Sequence, residues 1–287
     1  MTKPFDKNAF DKHTQYRTHL DDYAEYWADL AKIRRVDGVL EVKFHWDNGP
    51  WRWNEAVHGA LAPLFQDISF DPDNECVILT GTGDIFVDEF DAESHKKHEQ
   101  RGFSGGHITY DEWWVAQPRF PAALMDIPVP IIGAVNGPAI IHPEILLLSD
   151  IVIAAEHAYF SDRHFTGVGI VPSDGGNILY RELLGHNRGR AYLYLGHRID
   201  AAKAQELGMV AEVLPAGELL DRAWEIARNV IMPVPRIQRR MTREVLMQPF
   251  RELYVKEIRA SMAHEAWACE VEFPGISRQL AARNPGE

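Results

Sequence analysis

Short apolar runs separated by turn residues fill the first two thirds of the chain, and longer helical spacing fills the rest. Ile33 to Val36 and Val39 to Phe44 flank Asp37-Gly38, a pair suited to a type I′ turn, and predict a β-hairpin. A helix is expected to start near Asn54, whose side chain can accept from the free N–H groups of a first turn. Cys76 to Leu79 reads as a short buried strand ending at Thr80-Gly81-Thr82-Gly83; Val129 to Val135 and Ile151 to Ala155 read as two more. Between those two, Pro143 to Leu148 suits a short helix, because a proline in the first turn forfeits no internal hydrogen bond. Tyr110 to Met125 has helical spacing that Pro118 and Pro121 should break or bend. From Asn187 onward the pattern is almost wholly helical: Arg188 to Leu195, Ala201 to Leu207, Leu219 to Val230, and a long segment through Glu270. Strand–helix alternation followed by such a tail predicts an α/β core with a helical C-terminal region. No repeat or low-complexity linker interrupts it.

Composition narrows the function classes. Of the 287 residues, 46% are hydrophobic and 25% charged, as in an ordinary globular enzyme. The formal charge of −12 argues against nucleic-acid and anionic-membrane partners, which attract clustered Lys and Arg. The densest basic run, Arg236 to Arg243, falls within a helical pattern. Two cysteines, Cys76 and Cys269, are too few for a disulfide framework or a thiolate metal site. The first residues lack the apolar stretch of a signal peptide. The most apolar region, Ile127 to Ala155, is broken by Asn136, His142, Glu144 and Asp150, so it does not suit a bilayer span. A cytoplasmic protein is expected.

The polar residues set into this apolar framework carry the candidate chemistry: His142, His164 and Asp174. Each has a bland reading in isolation. His142 suits a satisfied buried histidine near a helix start, Asp174 in Ser173-Asp174-Gly175-Gly176 an N-cap, and His164 a surface loop. Of the 13 histidines, His95 and His98 have one-turn spacing, yet no HExxH or Cys/His ligand set occurs, and His142 and His164 come with no obvious third ligand. No metal or cofactor is therefore expected. No Gly-x-Ser-x-Gly elbow marks a serine nucleophile either.

Four stretches together resemble the crotonase (enoyl-CoA hydratase/isomerase) superfamily: Val77 to Phe86, Ile132 to Ile151 (IGAVNGPAIIHPEILLLSDI), Tyr159 to Gly185, and Leu195 to Pro215. Their order is the family's, and the similarity covers about residues 32 to 250. It implies an α/β spiral of ββα units over residues 32–215, a helical C-terminal region over 216–287, and assembly as a trimer or dimer of trimers. Residues 1–31 would be an extension.

The departures from the family pattern concern chemistry. Hydratases carry a Gly-rich run before their first catalytic glutamate; here Ile140-Ile141-His142-Pro143 precedes Glu144. Their second catalytic glutamate aligns with His164, and a family alanine with Asp174. The loop supplying the other oxyanion donor reads Asp88-Glu89-Phe90-Asp91, which suits an anionic CoA thioester poorly. The set is similar to the β-diketone hydrolase branch, the 6-oxocamphor hydrolase type, which cleaves a C–C bond between two carbonyls without CoA. That resemblance implies His164 as base with Asp174 as its partner, and His142 with the Trp53 indole as donors to the enolate oxygen. It brings Glu265, within Ala263 to Ala266, to the site from the C-terminal helices. Glu144 is then structural or supporting. Phe90 and Phe165 join Trp53 as substrate-binding candidates, with Trp51, Phe86, Trp113 and Trp114 nearby; such aromatics suit a compact diketone substrate. The alternative is a hydratase or isomerase of an acyl-CoA thioester.

Overall fold

The computed structural model describes residues 17–91 and 118–283; side chains are described as far as residue 268, apart from those at positions 55 and 168. Helix α1 (Leu20–Tyr26) leads into the hairpin of β1 (Ala31–Val36) and β2 (Val39–Phe44). Asp37 and Gly38 both take positive φ, 51° and 83°, as a type I′ turn requires. After β3 (Trp51–Trp53), helix α2 (Glu55–Phe70) starts where Asn54 Oδ1 accepts the Val57 N–H at 2.8 Å. The strand from Cys76 runs further than expected, as β4 (Cys76–Gly81), and is buried along its whole length. Next comes β5 (Val87–Phe90).

Pro118 caps α3 (Arg119–Met125), and Pro121 lies in its first turn, where it breaks no internal bond. The Tyr110 end of the expected helix, Trp113, Trp114, His95 and His98 lie outside the described residues. Then follow β6 (Ile131–Val135), the short α4 (Glu144–Leu147) capped by Pro143, β7 (Ile151–Ala155) and β8 (Tyr159–Phe160). A wide π-type turn, His164–Val168, precedes α5 (Gly176–Leu184) and α6 (His186–Leu195).

The region after Asn187 is not purely helical, as its spacing suggested. Two short strands interrupt it: β9 (Ile199–Asp200) before α7 (Ala201–Glu206), and β10 (Glu212–Leu214) after it. Each is two or three residues long, too short to leave an alternating pattern. Helix α8 (Leu219–Ile226) continues into a π-type turn, and α9 (Arg236–Arg283) forms the long tail.

Among the described residues, the main sheet has six strands in the order β1-β2-β4-β6-β7-β10, parallel except for the β1–β2 hairpin. A second layer consists of the pairs β3–β5 and β8–β9. Bridges from Ala139 to Val87 and to Phe160 join those pairs into one run. The chain thus alternates between layers, and successive turns place Phe90, Ile140 to His142, and His164 at neighbouring exits of the second layer. That stacking builds the site.

Asn136-Gly137 holds two of the turns together. Asn136 Oδ1 accepts the Gly81 N–H at 2.9 Å, and its Nδ2 donates to the carbonyls of Gly83 and Ile85 at 3.0 and 2.9 Å. A Cβ at residue 137 would stand 1.8 Å from the Asp84 carbonyl oxygen, so only glycine permits this approach. Among the described residues, no helix is long and apolar enough to cross a membrane.

Candidate active site

His142 takes φ of 45°, the left-handed region that non-glycine residues seldom occupy. The kink turns the ring inward before Pro143 starts α4. Trp53 stacks on the imidazole with centroids 4.0 Å apart, and His58 lies beyond it at 5.3 Å. The His142 Nδ1 contacts Glu144 Oε1 at 2.5 Å and Asp174 Oδ2 at 3.4 Å. That same Asp174 oxygen lies 3.4 Å from His164 Nε2. One buried carboxylate therefore stands between two imidazoles supplied by separate turns of the spiral.

The N-cap of α5 is Gly175 and not Asp174, which precedes it and accepts the Gly176 N–H on Oδ1 at 3.5 Å. Behind Asp174, Ser173 donates from Oγ to Glu265, which α9 brings in fully buried. On the far side of His164, Asp162 Oδ1 and Oδ2 both lie 3.2 Å from Nδ1.

Electrostatics sort these groups into distinct protonation states. Burial alone would raise Asp174, but His164 and His142 hold its carboxyl well below the ordinary range. Burial would likewise lower His164; Asp174 and Asp162 outweigh it and hold the imidazole well above its ordinary value. His142 is raised the same way, burial being overcome by Glu144 and Asp174. Burial raises Glu144, with Asp174 adding to the rise. Burial, again with Asp174 beside it, pushes Glu265 up to about 7. His58, buried and next to His142, is pushed down to about 3 and is neutral at working pH.

A cavity of about 270 Å³ opens onto the two imidazoles. Phe90, Ile140, Ile141 and Ile170 make its apolar wall, and Asp88 and Arg163 its polar edge. The structure brings together His142, His164, Asp174 and Glu265, and sets Phe90 on the wall. Trp53 stands behind His142 instead of on the wall, and Phe165 is half exposed and packs edge-on against Tyr194. Asp162, Arg163 and the His142–Glu144 contact were not anticipated; the one signal in the chain is Asp162 two residues before His164.

Ligand atoms of His142, Glu144 and Asp174 lie within 4.8 Å of one another, a set that does not include His164. Within this set, His142 Nδ1 and Glu144 Oε1 are joined by a 2.5 Å hydrogen bond. Chemically, the site can take a proton from water beside the cavity and present donors to a carbonyl oxygen.

The enoyl-CoA hydratase/isomerase family profile matches residues 36–267. A β-diketone hydrolase from the cyanobacterium Anabaena, solved with (S)-3-oxocyclohexyl acetic acid bound, superposes with a TM-score of 0.80 at 35% identity. That match covers 86% of this chain and 97% of the other. By sequence, a putative enoyl-CoA hydratase/isomerase of Bacillus subtilis is 32% identical over 59% of this chain, an alignment spanning 63% of that protein. A 1,2-epoxyphenylacetyl-CoA isomerase of Escherichia coli is 30% identical over 62% of this chain and 67% of its own length.

Proposed function

The chain belongs to the enoyl-CoA hydratase/isomerase family, and from that premise we propose that it hydrolyses a carbon–carbon bond of a β-diketone without CoA. The observation that carries the proposal is the single carboxylate, Asp174, set between His142 and His164 beside an apolar cavity. The 35% identical β-diketone hydrolase supports it.

In this reading, water adds to one carbonyl carbon while its proton passes to neutral His164. The carboxylates beside the ring stabilise the imidazolium that forms. The tetrahedral intermediate collapses to a carboxylic acid, and the C–C electron pair leaves as an enolate delocalised onto the second carbonyl oxygen. His142 donates to that oxygen; one such donor is typically worth ~10²–10³ in rate. A proton returned to the enolate carbon completes a keto acid. Glu265 touches Ser173 and faces Asp174 electrostatically, so its near-neutral carboxyl serves as a proton store behind the pair.

A second reading, an acyl-CoA hydratase or isomerase, is favoured by the names of the curated relatives. Against it stand the branched side chains of Ile140 and Ile141 on the cavity wall and the acidic edge at Asp88. A panel of cyclic 1,3-diketones followed by loss of enol absorbance, with one acyl-CoA as counter-test, separates the two. Diketone loss that disappears in His164→Ala supports the hydrolase. Unchanged diketone cleavage in that variant, or turnover of the thioester alone, overturns it.

A further inference from the structure

We infer that Asp162 is the positioning carboxylate of His164: by holding Nδ1 it leaves Nε2 as the atom that exchanges a proton with water. The role of that water rests on the hydrolase reading; the arrangement of the ring does not.

Asp162 follows β8 and is buried. Its Oδ1 accepts the backbone N–H of His164 at 3.1 Å, and both of its oxygens lie 3.2 Å from Nδ1. One carboxylate thus grips the main chain and the ring of the same residue at the start of the π-type turn. Asp174 meets the opposite nitrogen at a longer 3.4 Å, and the same oxygen is shared with His142.

Both neighbours of the ring are carboxylates with no proton to donate, so the neutral ring keeps its proton on the nitrogen with the shorter, hydrogen-bonded contact, Nδ1. Nδ1 faces two oxygens in hydrogen-bond geometry. Nε2 meets a single oxygen, shared with His142, at 3.4 Å, and it gives up its proton first. The orienting part assigned by resemblance to Asp174 then falls to Asp162. Asp174 instead bridges the base and the His142 donor.

The groups around His164 agree with this division. From its own segment come Asp162 and Arg163. The loop before α5 contributes Asp174, the segment before α4 contributes His142, and α9 contributes Glu265. The phenols of Tyr180 and Tyr192 also sense Asp162; burial, reinforced by Asp162, keeps both neutral. Among the described residues, His164 is the cationic partner within ion-pair distance of Asp162.

Nitrogen NMR of histidine-labelled protein, with the His164 signal assigned by its loss in His164→Gln, tests this without any substrate. In the parent protein the neutral ring should carry its proton on Nδ1. Asp162→Asn should move that proton to Nε2 and lower the titration midpoint by about one pH unit or more. Asp174→Asn should lower the midpoint but leave the proton on Nδ1. With a diketone substrate, Asp162→Asn should cut kcat by ~10²-fold or more at little change in KM, and Asp162→Glu should restore part of it. Should the Asn variant not fold, Asp162→Ser keeps an acceptor for the backbone N–H and must show the same lowered midpoint. An unchanged proton position and midpoint in Asp162→Asn, or a tautomer flip in Asp174→Asn instead, overturns the inference. The predicted spectra without diketone turnover would count against the hydrolase reading alone.

Discussion

Asp174 Oδ2 is shared by two imidazoles at 3.4 Å each, so removing its charge unsettles both at once. His164→Gln and Asp174→Asn should each lower kcat on a diketone by ~10²–10⁴-fold, the usual range for a lost general base. The pH profile carries a sign. The neutral form of His164 does the work, and its neighbours hold the ring well above 6.5. Hence kcat/KM should rise with pH along a limb whose midpoint lies above 6.5; a midpoint at or below that value would contradict the assignment. Glu265 gives a stability test. Its folded value of about 7 exceeds the ordinary 4.5, so the stability it contributes is complete below about 4.5 and is lost as pH rises through 7. Glu265→Gln should therefore gain in melting temperature over the parent protein above pH 7, and this advantage should vanish near pH 4.5. The three residues of the central network were visible in the chain because they replace a glutamate, an alanine and a glycine at aligned positions. Asp162 was not, because an acidic residue two places before a histidine is common and only the π-type turn folds it back onto Nδ1.

At the scale of elements, local chemistry was legible wherever a side chain acts on its own backbone. Asp37-Gly38, the Asn54 cap and the Pro143 helix start are of this kind. Legibility failed where pairing is short and long-range, as in β9 and β10. It failed again for the docking of α9. Buried Arg243 donates to the Ile127 and Leu124 carbonyls at 2.7 and 3.1 Å and pairs with Asp150, whose other contact is the Ile131 N–H at 2.7 Å. The sequence placed this residue in a basic run within a helical pattern; the structure makes it the clamp between the tail and the β6–β7 turns. Arg243→Ala removes the cation from the partly buried Asp150 carboxylate together with two carbonyl hydrogen bonds, and should cost ~1.5–3 kcal/mol. Chemical denaturation would show it as a large drop in midpoint, and a loss below ~1 kcal/mol would contradict the clamp.

For the whole molecule, the resemblance implies three or six copies. Helix α9 leaves Ile237, Val245, Leu246, Val255 and Trp267 largely exposed, apolar surface that a second copy would cover. Light scattering after size exclusion should give three or six times the 32.7 kDa chain; a monomer at micromolar concentration would contradict that assembly. The spiral itself was legible as strand–helix alternation with four ordered motifs. The cavity was less so, because its wall combines Phe90, Ile140, Ile141 and Ile170 from turns far apart in sequence, while Trp53 supports His142 from behind. The most direct test of the central claim is mass spectrometry of the product formed from a cyclic 1,3-diketone in heavy-oxygen water. The account predicts a ring-opened keto acid carrying one solvent oxygen in its new carboxylate, formed by the parent protein and not by His164→Gln. Recovery of unopened diketone under conditions where an acyl-CoA thioester is turned over would contradict it.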